Sequence, residues 1–134
     1  MSLYVITNST CPACMKFKSR QHPELAKKLS GTLHYRLIDV QNINEISDNN
    51  VKSLKYTFYP CLVYSSEDNV YIFNGSVTND GTAVYSGKGG WEVKDIMKWL
   101  CDLNMYGTTV VCYLLNDKIE VEIDNPIMGL MNSV

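Results

Sequence analysis

Cys11 and Cys14 enclose Pro12-Ala13, and this run is the sharpest chemical signal in the chain. At helical spacing, residues three apart share one face about 5–6 Å from each other, within the separation a disulfide accepts. Proline suits the first helical position, where its missing N–H would have had no partner. Cys11 then falls at the N-cap, facing unpaired backbone N–H groups and the positive end of the helix dipole. Both favour thiolate over thiol. Cys14 falls deeper in the first turn, where a shielded thiol can act second. An exposed thiolate that attacks a disulfide, with a neighbour that resolves the mixed disulfide, supplies what exchange requires. Three other readings stay open: incidental thiols, a binding module of the same fold without turnover, and a metal or iron–sulfur carrier. Zinc takes four ligands, commonly from a second C-x-x-C or a closely spaced histidine pair. Here Cys61, Cys101 and Cys112 stand alone, and His22 and His34 are twelve residues apart. No metal is therefore expected within one chain, and a metal shared between two chains stays open.

The elements around the pair have readable causes. Leu3 to Thr7 is short, apolar and β-prone, so it reads as a buried strand, and Asn8-Ser9-Thr10 as the turn after it. Cys14, Phe17, Gln21 and Leu25 follow at helical spacing, with Lys16, Lys18 and Arg20 on the wetter side. Pro23 should kink or split that helix, which resumes over Glu24 to Leu29. Leu33 to Asp39 is a second strand. Asn42 with Glu45 signals a modest helix reaching about Lys55. Pro60 to Ser65 and Val70 to Asn74 form an antiparallel hairpin across Ser66-Glu67-Asp68-Asn69. Gly75 to Thr82 reads as a loop, Ala83 to Tyr85 as a brief strand, and Trp91 to Asn104 as a helix with an apolar stripe. Thr108–Leu115 and Lys118–Ile123 read as a second hairpin. The order is βαβαββα plus a C-terminal β-hairpin extension. It predicts a mixed sheet with a right-handed parallel crossover at its start and helices on both faces.

With these pieces in place, the chain resembles the thioredoxin-like superfamily, in particular its glutaredoxin-sized members. The matching pieces are Tyr4-Val5-Ile6-Thr7 leading into Cys11-Pro12-Ala13-Cys14, and Tyr59-Pro60 opening a strand. Val70 to Gly75 follows, then Tyr85-Ser86-Gly87 before a helix with Lys98-Trp99-Leu100. The likeness covers residues 3–104. It implies a dithiol oxidoreductase in which Cys11 attacks and Cys14 resolves. It also implies a cis bond before Pro60, and a Tyr59 backbone that binds extended substrate. Some positions depart from the family pattern. Thioredoxins carry a buried Asp where this chain has Val5, and Gly-Pro where it has Pro12-Ala13. Glutaredoxins carry a lysine for the glutathione carboxylate where this chain has Asn8, and their Gly-Gly signature is not legible in Gly75 to Thr82. The expected substrates are therefore protein disulfides, reset by a reductant of thioredoxin-reductase type or by glutathione. No cofactor is expected, and the glutathione signature is incomplete.

Composition bounds the rest. The chain has 134 residues, net charge −2 and 46% hydrophobic residues, which suits one domain, residues 1–134, with a core of its own. The core is expected over 3–104, with a hairpin and tail over 105–134. The weak negative charge removes the bulk electrostatic case for nucleic acid or an anionic membrane. The longest apolar run, Val110 to Leu115, is far short of the roughly 20 residues a membrane helix needs. The start lacks a basic, then long apolar segment, and the odd cysteine count does not suit a disulfide scaffold. A cytoplasmic protein is expected. Strand alternation turns Cys61 into the core, and Cys101 and Cys112 read as core or spare thiols. Gly81 to Gly89 resembles a phosphate loop, but it has five residues between its glycines and Gly89 where Ser or Thr would hold Mg²⁺.

Overall fold

The computed structural model describes residues 1–103, 105 and 107–115. Strand β1 (Ser2–Thr7) is followed by helices α1 (Pro12–Ser19) and α2 (Gln21–Leu29), then by β2 (His34–Asp39). A 3₁₀ turn over Val40–Glu45 and a short α3 (Asn49–Lys52) lead into β3 (Lys55–Tyr56) and β4 (Cys61–Ser65). Next come β5 (Val70–Ile72), β6 (Gly75–Val77), β7 (Thr82–Tyr85), α4 (Val93–Leu103) and α5 (Thr109–Leu115). The larger sheet has the order β2-β1-β4-β5, with β1 parallel to β2 and antiparallel to β4, and β4 antiparallel to β5. A smaller sheet has the order β3-β7-β6. The described chain is thus a mixed α/β fold with two open mixed sheets. No helix among the described residues is long and apolar enough to cross a membrane.

The period-2 alternation of strand side chains sorts the core onto two faces. Leu3, Val5, Leu62 and Tyr64 point to one face, where they meet Phe17, Leu25, Leu29, Ile96 and Leu100. Tyr4, Ile6, Cys61 and Val63 point to the other, where they meet Ile46, Val51, Leu54 and Ala83. α1, α2 and α4 cover the first face, while the 3₁₀ turn, the short α3 and the smaller sheet cover the second. The expected helices on both faces are thus joined on one of them by a sheet.

Four further expectations change. The helix break falls at Arg20, φ −112° and ψ −64°, and not at Pro23. Restarting at Gln21 places Pro23 in the first turn of α2, where a missing N–H has no helical partner to lose. The single helix expected over 42–55 is two short pieces, capped by Asp39, whose side chain accepts from the Gln41 N–H, and by Asp48, which accepts from Asn50. The loop expected over Gly75 to Thr82 is instead the β6–β7 hairpin. Gly75 faces Tyr85 in that ladder, and a Cβ there would collide with the Val84 carbonyl.

The last change concerns the C-terminal hairpin. Its first strand, Thr108–Leu115, is not a strand, because Thr109–Leu115 forms α5 packed on α4. Val111 is buried and Leu114 and Leu115 pack on the same core, while Val110 and Tyr113 face outward. Spacings of three and four are helical, and they override the β preference of the Thr-Val-Val run. Gly107 lets this turn close, since a Cβ there would lie 2.5 Å from the Tyr64 hydroxyl. The second expected strand, Lys118–Ile123, lies outside the described residues.

Candidate active site

β1 is fully buried from Leu3 to Thr7, and it delivers the chain to the start of α1 through a short polar turn. Asn8 shapes that turn. Its side-chain carbonyl accepts from the Thr10 N–H at 3.2 Å and the Thr10 hydroxyl at 3.1 Å, while its backbone carbonyl accepts from the Cys11 N–H at 3.0 Å. Cys11 is the N-cap, in extended conformation (φ −94°, ψ 116°), with Pro12 opening the helix. The Cys11 sulfur accepts from the Cys14 N–H at 3.2 Å, so one otherwise unpaired helix-start donor points at it. The first turn holds no acidic residue that would compete for this position.

The two sulfurs differ in access. Cys11 is half-buried, whereas Cys14 is only 1% exposed. The Cys14 sulfur accepts the Asn8 N–H at 3.4 Å. Burial pushes the Cys14 thiol up to about 12, and the adjoining Cys11 sulfur adds to this; the Asn8 N–H and the Lys18 charge act the other way. At neutral pH Cys14 is therefore a protonated, shielded thiol.

The second segment arrives from 48 residues away. The Cys11 thiol donates to the Tyr59 carbonyl at 3.6 Å, and the Tyr59–Pro60 bond is cis. Tyr59 is half-buried, and burial, followed by Cys61, Asp39 and Cys14, raises its phenol above the usual range. The approach to Pro60 is held from the smaller sheet. The Thr57 hydroxyl donates to the Ala83 carbonyl at 2.6 Å, and Phe58 packs on Tyr85 with ring centroids 5.4 Å apart. Tyr85 in turn stacks on Trp91 at 5.9 Å. Cys11, Cys14, Tyr59 and Pro60 are thus brought together as the sequence reading expects.

Other residues find different places. Cys61 is fully buried on the second face, as alternation predicts, and burial pushes its thiol up to about 12. Cys101 and Cys112 are not spare thiols: they form a disulfide between α4 and α5. Eleven residues separate them, and no local pattern links them; only the packing of the two helices brings them together. His22 is held by the Tyr35 hydroxyl at 2.8 Å, and His34 by the Ser2 hydroxyl at 3.0 Å. Among the described residues no group of three or more His, Cys, Asp or Glu is placed to hold a metal. Sequence spacing does not reveal the positioning role of Asn8 or the hold of Thr57 on the proline loop. A polar residue directly after a buried strand was the available signal for Asn8.

No family model matches the chain, and no curated protein or solved structure matches it.

Proposed function

We propose that this protein is a thiol–disulfide oxidoreductase of thioredoxin or glutaredoxin type, acting on protein disulfides through Cys11 and Cys14. The observation that carries the reading is the convergence at Cys11. A half-exposed sulfur caps a helix, receives the Cys14 N–H, and touches the Tyr59 carbonyl beside Pro60. The mixed sheet, with a parallel β1–β2 pair and an antiparallel β4–β5 hairpin, supports a thioredoxin-like fold.

The Cys11 thiol, which faces the Tyr59 carbonyl, first loses its proton to solvent, and the thiolate then attacks one sulfur of the substrate disulfide. A mixed disulfide forms and the other substrate sulfur leaves as a thiolate. Cys14 then attacks the Cys11 sulfur, giving the Cys11–Cys14 disulfide and releasing the second substrate sulfur. Two electrons pass to the substrate, and an external dithiol or glutathione restores the pair. Because burial holds Cys14 protonated, its proton must go at the second step, and the departing substrate thiolate is the base at hand. The Tyr59 backbone, beside Pro60, would hold an extended substrate in the manner of a β-strand.

Insulin reduction by the fully reduced protein tests this. Cys11→Ser should drop to the uncatalysed rate. Cys14→Ser should accumulate a mixed disulfide on Cys11, identified by mass. Wild-type protein that fails to speed the reaction overturns the reading.

A further inference from the structure

The charges of this chain are segregated. Residues 1–36 hold six of its twelve cations, Lys16, Lys18, Arg20, Lys27, Lys28 and Arg36, but only one of its fourteen carboxylates, Glu24. The other 98 residues set six cations against thirteen carboxylates. Five of the six early cations lie on α1, α2 or their junction, and all five are exposed.

Of the six other described cations, three have ion-pair partners and Lys52, Lys88 and Lys94 have none. Arg36 pairs with Glu45 at 3.3 Å, Lys55 with Asp80 at 3.8 Å, and Lys98 with Asp102 at 2.8 Å. Among the described residues, none of the five on α1 and α2 makes an ion pair. Lys16, Lys18, Lys27 and Lys28 stand in last helical turns, where each offsets the negative end of the helix dipole. That explains their place along each helix. It does not explain why α1, α2 and their junction carry five cations against Glu24 alone, nor Arg20, which lines one pocket with Glu24, Glu92 and Lys94.

This cationic face begins at the candidate active site. α1 starts directly after Cys11, and its eight residues span about 12 Å at 1.5 Å each, close to a Debye length in physiological salt. Lys18 is near enough to Cys14 to act on its charge, and Met15, beside Cys14, is 66% exposed. We propose that the exposed face of α1 and α2 is a docking surface for a protein whose disulfide lies in an acidic segment. This rests on the oxidoreductase reading and adds the chemistry of its substrate. A long polyanion such as a nucleic acid fits less well, because the thirteen carboxylates elsewhere repel it. A short acidic segment can lie along the α1 and α2 cations and meet few carboxylates besides Glu24 and Glu92.

Three synthetic peptide disulfides of equal length, flanked by acidic, neutral or basic residues, provide the test with the full-length reduced protein. In about 20 mM salt the acidic peptide should show a kcat/KM at least about tenfold above the basic one. The gap should shrink severalfold in about 0.5 M salt. Lys27→Glu with Lys28→Glu, remote from the cysteines, should narrow it while turnover of the neutral peptide is unchanged. Lys16→Gln with Arg20→Gln is the independent second variant. Equal rates on acidic and basic peptides at low salt, or a gap that survives both variants, overturn the docking surface. Turnover of none of the peptides overturns the oxidoreductase reading instead. Fluorescence anisotropy of labelled acidic and basic peptides on the Cys11→Ser protein then still decides the surface. Tighter binding of a single-stranded oligonucleotide than of the acidic peptide would assign the face to nucleic acid and overturn the proposal.

Discussion

Cys11 and Cys14 stand three residues apart at the mouth of one helix, whereas Cys101 and Cys112 stand eleven apart and join two helices. The first pair is free, with one sulfur accessible and one shielded. The second is already bonded, on the flank where α5 packs against α4. The same side chain stays free at a helix start in one place and cross-links two helices in the other. Helix-start donors, unequal access and an adjacent carbonyl mark the pair suited to exchange. Cys101 and Cys112 are instead both half-buried and sit within α4 and α5. Sulfur proximity alone therefore says little about function.

The contrast can be broken most directly by alkylation. Iodoacetamide applied to the native protein should label Cys11 fast and leave Cys14 and Cys61 unlabelled until denaturant is added. Cys101 and Cys112 should react only after reduction, and peptide mass mapping reads all five sites. Equal labelling of Cys11 and Cys14 would remove the distinction between an attacking and a shielded sulfur.

Breaking the second pair should change stability and not chemistry. Closing a loop of eleven residues contributes roughly 2–3 kcal/mol, so Cys101→Ala with Cys112→Ala should lower the urea midpoint by a corresponding amount. Insulin reduction at 25 °C should be unchanged. A double variant that is stable but inactive would place the second pair in the electron path.

Replacing Asn8 by lysine sharpens the substrate side of the first pair. A charge-assisted hydrogen bond to a glutathione carboxylate contributes about 1.5–3 kcal/mol, enough to raise turnover of a glutathionylated disulfide roughly ten- to a hundredfold. Asn8 also holds the Thr10 turn, so insulin reduction should fall modestly in the same variant. A variant with no gain on the glutathionylated substrate would show that the missing lysine is not what excludes glutathione.

The smallest effect lies in the pH dependence of stability near neutrality. Burial raises the Cys61 and Cys14 thiols from 9.0 to about 12 in the folded protein. Both folded-state values lie above those of the unfolded chain, so this contribution is complete below about pH 9. It is lost as pH rises from 9 towards 12, because the unfolded chain ionises first. Urea midpoints should be flat on this account from pH 6 to 8 and fall above 9. Cys61→Ala should make that fall shallower.

What was legible in the residues followed locality. The step from buried β1 through Asn8-Ser9-Thr10 to Cys11 and Pro12 was readable because each part has a nearest-neighbour cause: alternation, turn chemistry, and proline at a helix start. The break between α1 and α2 was readable in kind, but its position at Arg20 depended on how both helices pack on the sheet. Thr109–Leu115 departs from the expected strand because packing against α4 outweighs the strand preference of its β-branched run.

The sequence by itself determined the close spacing of Cys11 and Cys14, their helix-start setting, the alternation that divides Leu3 and Val5 from Tyr4 and Ile6, and the burial of Cys61. These depend on contacts within a few residues, or on a period the chain repeats. Only the tertiary structure decided which carbonyl meets Cys11, which cysteines bond across 101–112, and what covers the second face of the sheet. Those contacts join segments far apart in the chain, and their free energy comes from burying surfaces together, which no local spacing encodes.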